Sequence, residues 1–211
     1  MKKKPYGGIK DVPKYLLEKY GSEGKMIKQG PIIPMNTDSM ETISGRRTRN
    51  CSVVAVARVI EYYGRKNKIV SIPADIKLIY KDVEKVARRH LYTDRFGTNP
   101  LFISRIARRT FAGYGVKIKS KGIYVWSFEE QVEKEISAGR PVIMNIARGF
   151  YRDHTVVVAG YSVWQVGEKI YPMIRVIDGW KSGYHYIDYE AFARDITQSI
   201  FGSFNTIEVQ K

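Results

Sequence analysis

NCSVVAVARVIEYYG, residues 50–64, is the stretch whose reading decides the fold. Val53, Val54, Val56, Ala57, Val59, Ile60 and Tyr63 leave almost no polar face, so the helix predicted over Cys51–Tyr63 belongs inside the protein rather than on its surface. Asn50 is a good N-cap type and Gly64 a good stop, which puts the helix start close to Cys51. That position matters chemically. A helix N-terminus offers N–H groups without acceptors and a partial positive charge. Both favour a thiolate, the form of cysteine that attacks.

Working outward, further helical zones are predicted over about 73–92 and 99–114, where Leu78, Ile79, Val83 and Val86, then Ile103, Ile106 and Ala107, recur at helical spacing. Residues 1–45 are rich in Gly, Pro, Lys and Ser and read as an extended N-terminal arm with one short helix over Val12–Tyr20. From Val116 the period changes, with Val116 and Ile118 alternating with lysines as in a strand. A short helix is predicted over Ser127–Ala138, with Ser127 as cap and Glu129 and Glu130 in its first turn. Apolar runs over 141–146, 154–161, 170–177, 184–187 and 204–209 then read as strands. Helices first and an antiparallel sheet second make an α+β chain. The expected division is an arm over 1–45, a helical lobe with Cys51 over 46–115, and an antiparallel sheet lobe with His154 and Asp178 over 116–211.

Composition narrows the chemistry. The 211 residues are 44% hydrophobic and 27% charged, a globular balance. One cysteine excludes an internal disulfide and a Cys-rich zinc site. No apolar run approaches the roughly 20 residues that span a bilayer. The basic start lacks the apolar core of a signal peptide, so the expectation is a cytoplasmic protein, or a secreted one if a signal was removed. The formal net charge of +15 is spread in short clusters such as Arg105, Arg108 and Arg109 and Lys117, Lys119 and Lys121. The cations read first as a solvated surface, and such a field also favours an anionic polymer as partner. No nucleic-acid-reading motif accompanies them.

A thiol nucleophile needs a base from elsewhere in the fold. His154 begins a predicted strand and Asp178 ends a later one, and strand ends at one edge of a sheet can lie side by side. His90, after Arg88 and Arg89, reads as a surface residue. His185, between Tyr184 and Tyr186, reads as structural and is the alternative base. Trp126, Trp164 and Trp180 read as core types, with Trp180 two residues after Asp178.

Asn50-Cys51-Ser52 running into Val53–Gly64 resembles the nucleophile helix of papain-like (clan CA) bacterial cysteine peptidases, in the group that includes the bacteriocin-leader (double-glycine) peptidases. Gly139-Arg140-Pro141-Val142-Ile143 followed by Asp153-His154-Thr155-Val156-Val157-Val158-Ala159-Gly160-Tyr161 looks like that group's histidine region. Val176-Ile177-Asp178-Gly179-Trp180 looks like its aspartate region, and the resemblance covers about residues 45–211. It implies a two-lobed fold and hydrolysis of a peptide bond through an acyl-enzyme on Cys51, with His154 as base, Asp178 orienting it and no cofactor. It implies that Trp180 can shield the His154–Asp178 contact. Transamidases and acyltransferases share the same triad order. One feature of the pattern is missing. Gly45 stands six residues before Cys51 where the family has a glutamine, and no Gln occurs between Gln29 and Gln131. Asn50 and the N–H of Cys51 are the replacement candidates for the oxyanion hole. Loss of one such donor costs about 100- to 1,000-fold in rate, so the expectations include a weak enzyme and a degenerate basic binding module.

Overall fold

The computed structural model describes residues 6–210. Helix α1 (Val12–Tyr20) starts at Asp11, whose carboxylate accepts the Lys14 N–H at 3.0 Å, and ends at Gly21 in the left-handed conformation. Strand β1 (Lys25–Gln29) and helix α2 (Met40–Ser44) follow, then three helices that carry the interior: α3 (Cys51–Lys66), α4 (Ile76–Arg88) and α5 (Ile103–Gly113). Strand β2 (Ile118–Ile123) leads to a wide π-type turn over 129–133 and helix α6 (Lys134–Ser137). Strands β3 (Val142–Ile146), β4 (His154–Val166), β5 (Lys169–Ile177) and β6 (His185–Asp188) come next. Helices α7 (Tyr189–Ala193) and α8 (Ile196–Phe201) separate β6 from the last strand, β7 (Ser203–Val209).

All described strands join one antiparallel sheet in the order β2-β7-β3-β4-β5-β6, with β1 added to β4. The chain is therefore α+β, as its pattern implies. Strand β4 is the spine. It pairs with β3 at its start and with β1 at its end, and its run of Val156, Val157 and Val158 is fully buried. Helix α3 packs on β4, and α4 and α5 pack on α3, so the helix that reads as apolar on every side is covered on every side.

Two expectations about that helix are corrected. It does not stop at Gly64 but runs on to Lys66. Gly64 is there for space: a Cβ on it would lie 2.7 Å from Ile72 Cγ2. Asn50 is not a side-chain cap; its Nδ2 reaches the Tyr80 hydroxyl at 3.3 Å instead. Gly64→Ala gains about 1 kcal/mol of helix propensity but overpacks a closed site, at about 1–3 kcal/mol. The expected result is a net loss of stability in chemical denaturation. A more stable variant would show that Ile72 moves aside freely.

The arm is tied to the sheet along its length. Ile9 and Tyr186 exchange backbone hydrogen bonds of 3.1 and 2.7 Å, and Asp188 N–H donates to the Tyr6 carbonyl at 2.8 Å. Further on, β1 pairs with β4. Its first five residues lie outside the described ones. Residues 95–127 contain no Asp or Glu. Their seven cations, including the α5 arginines and the β2 lysines, are all exposed. Among the described residues no helix is long and apolar enough to cross a membrane.

Candidate active site

The sheet register brings the site together. In the antiparallel pair, Val157 faces Ile177, so the start of β4 lies beside the end of β5. His154 opens β4 and Asp178 directly follows β5. The start of α3 comes to the same place because α3 packs on β4. Cys51, the first residue of α3, thereby meets His154 and Thr155. The first helical hydrogen bond of α3 runs from Val54 N–H to the Asn50 carbonyl at 3.0 Å. The N–H groups ahead of it, beside the thiol, point past the helical ladder.

His154 Nε2 lies 2.7 Å from the main-chain carbonyl oxygen of Asp178. A carbonyl only accepts, so Nε2 carries the hydrogen, and Nδ1 is the nitrogen left for the thiol. Burial opposes charge on both partners. For Cys51 the hydrogen bond and charge of His154, with the contact of Thr155, outweigh it and bring the thiol below its ordinary range. For His154, burial pulls the imidazole down, and the contacts with Cys51 and Asp178 outweigh that and raise it. The direction of both shifts is toward a thiolate–imidazolium pair.

The Asp178 carboxylate does something else. It does not reach the imidazole of His154; Oδ1 accepts the Trp180 N–H at 3.1 Å, and Oδ2 lies 3.0 Å from His185 Nδ1. The guanidinium of Arg58, on α3, attracts it from below. Arg58 is only 2% exposed, donates to the Asp38 carbonyl, and is lowered by burial to about 10. The contact of Asp178 with the His154 ring is thus made by its backbone carbonyl, while its carboxylate faces Trp180, His185 and Arg58.

Trp180 lies 5.1 Å from the His154 ring, centroid to centroid, and Tyr151 stacks on it at 5.7 Å and 15°. Tyr151 and Trp180 also touch each other, 5.0 Å between centroids, so the two rings pack as one cluster beside the imidazole, with Trp180 itself 47% exposed. Of the remaining residues weighed from sequence, His90 binds the Val86 carbonyl at 2.9 Å, and His185 serves Asp178 rather than the thiol. Trp126 packs against Phe192 and Phe204 as a core residue.

A cavity of about 930 Å³ opens over Cys51 and His154. Its walls include exposed apolar side chains, among them Leu91, Phe96, Leu101, Ile200 and Phe201, together with Arg49, Arg148 and Asp153. Asn50 is not among the lining residues; its side chain is buried on the Tyr80 side with Oδ1 unpaired. Gly45 caps α2 with open space around its α-carbon.

Sequence reading missed Tyr151 and Thr155. Thr155 donates its hydroxyl to Asn145 Oδ1 at 3.0 Å, and Asn145 in turn donates to Ser203 Oγ at 3.1 Å and to Asn205 Oδ1 at 2.8 Å. A buried polar chain thus stands behind the thiol. Its members are scattered over three strands, so no local spacing could reveal them. Adjacency to His154 was the only available sign for Thr155.

No curated protein matches this chain. The model of the Peptidase_C39 like family matches residues 31–200, a span that includes the α3 helix, both strand ends and every cavity-lining residue except Phe201, and the chain belongs to this papain-like family of cysteine peptidases.

Proposed function

We propose that this cysteine peptidase hydrolyses a peptide bond through an acyl-enzyme on Cys51, with His154 as base and Asp178 holding His154. The observation that carries the reading is the pairing of a thiol at the start of α3 with an imidazole whose Nε2 is committed to the Asp178 carbonyl at 2.7 Å. His154 Nδ1 takes the thiol proton, and the thiolate attacks the substrate carbonyl carbon. The oxyanion forms beside the N–H groups at the start of α3. The imidazolium returns its proton to the leaving amine as the carbon–nitrogen bond breaks. Water, deprotonated by His154, then cleaves the thioester and frees the thiol. The open cavity with apolar walls receives the peptide.

The test is cleavage of a diverse peptide mixture by the full chain, read by mass spectrometry with and without an added amine. The expected result is new carboxyl termini with wild type and none with Cys51→Ala. Equal cleavage by Cys51→Ala would overturn the reading. Amides formed only when amine is present, without hydrolysis, would replace hydrolysis with acyl transfer.

A further inference from the structure

The start of the N-terminal arm reaches the ring that stacks on His154. Tyr6, Gly7, Gly8 and Ile9 run along the outer edge of β6, held by the Ile9–Tyr186 bonds and by Asp188 N–H on the Tyr6 carbonyl. From there Gly8 N–H donates to the Tyr151 hydroxyl at 2.9 Å. That tyrosine is 1% exposed and stacks on the His154 ring at 5.7 Å and 15°. The same hydroxyl faces the Asp178 carboxylate, whose backbone holds His154 Nε2.

The two glycines are what let the arm come so close. A Cβ on Gly7 would lie 2.3 Å from Tyr151 Cε2, in the middle of a buried ring with nowhere to go. Gly8 has φ +65, and a Cβ there would lie 2.8 Å from Phe150 Cζ. Contact runs the other way as well: Gly149 has φ +60, and a Cβ on it would lie 2.4 Å from the Tyr6 hydroxyl. Arm and loop 149–151 are thus fitted to each other on both sides, with glycine wherever the other chain approaches.

We infer that residues 6–9 are a positioning element of the active site: through Tyr151 they hold the His154 ring in the plane that serves Cys51. This rests on the reading of His154 as the base. The chemistry asks for such a support. His154 sits at the first position of its strand, where sheet pairing holds it on one side only, and among the described residues its ring has the Asp178 carbonyl as its hydrogen-bond partner besides the thiol. A stacked, buried ring fixes the rotation that a single hydrogen bond leaves free. Displacing a reacting group by about 1 Å can cost about 100-fold in rate.

The experiment compares wild type, Gly7→Ala and Tyr151→Phe in the full chain. The rate of Cys51 alkylation by iodoacetamide is followed against pH, and thermal melting is measured beside it. Gly113→Ala, on a helix with open space around its α-carbon and no positive φ, is the control for adding a methyl group. The expected result for Gly7→Ala is a fall of about 10- to 100-fold in alkylation at neutral pH. Its acid limb should move toward the ordinary thiol range while the protein still melts cooperatively. Tyr151→Phe keeps the ring and loses the hydroxyl's contacts with Gly8 and Asp178, so it should move the profile the same way by less. It also keeps the inference testable if Gly7→Ala does not fold. A folded Gly7→Ala or Tyr151→Phe with the wild-type profile, however much its melting point drops, would make the arm a purely structural brace. An ordinary thiol profile in wild type itself would remove the base assignment, and the positioning role with it.

Discussion

Replacing His154 with Ala is expected to reduce peptide hydrolysis by about 100- to 10,000-fold, the usual contribution of a positioned acid–base group. It should also change how Cys51 titrates. In wild type the thiol is lowered and the imidazole raised, each mainly because the other answers the cost of burial. The ion pair therefore exists above the lowered thiol value and below the raised imidazole value. Reactivity should rise as pH climbs through the thiol value, hold across the window, and change again when the imidazolium loses its proton. Without His154 the largest remaining influence is burial, which favours the neutral thiol. The acid limb should then move to or above the ordinary thiol value of about 8.5. Alkylation with a small neutral reagent over pH 5 to 10 reads this directly. An acid limb in His154→Ala that stays where wild type has it would mean that the helix start and Thr155 activate the thiol alone.

Asp178→Ala should separate two roles that a side-chain triad would merge. The carbonyl that holds His154 Nε2 belongs to the backbone and survives the substitution. Hydrolysis should therefore fall by less than in His154→Ala. Stability should fall sharply, because Asp178 is 2% exposed and its carboxylate answers Arg58, His185 and the Trp180 N–H. Removing one partner from a buried charged group costs about 3–5 kcal/mol. In a chain of this size that lowers the melting temperature by on the order of 10 °C. Asp178→Asn keeps the acceptor for Trp180 and removes only the charge, so its loss measures the pairing with Arg58 and His185. A stable Asp178→Ala protein as inactive as His154→Ala would show that the carboxylate, not the carbonyl, orients the base.

These two expectations divide along the line between what the chain states locally and what it states only when folded. The sequence by itself determined the elements that have a strong period: α1, the helices around Leu78 and Ile106, and the strands from Val142 onward, each within a few residues. It also singled out Cys51, His154 and Asp178, because a nucleophile at a helix start and polar residues at the ends of very apolar strands are local signals. Short elements escaped it. Strand β1 is exposed along its whole length, and α2, α7 and α8 are too short for a period to show. Gly64 looked like a stop because glycine usually ends helices, and the reason it does not is Ile72, a neighbour made by the fold.

Only the tertiary structure decided how the site is held. Which atom of Asp178 faces His154 depends on the turn after β5 and on Arg58 and His185, which arrive from α3 and β6. That Asn50 turns to Tyr80 rather than to the thiol depends on how α4 packs against the start of α3. Tyr151, Thr155 and the glycines of the arm carry no pattern of their own. Hydrophobic period and helix-end chemistry act over a few residues and are written in the order of the chain. Orientation of a buried polar group is set by partners from distant segments, and those meet only once the core has closed.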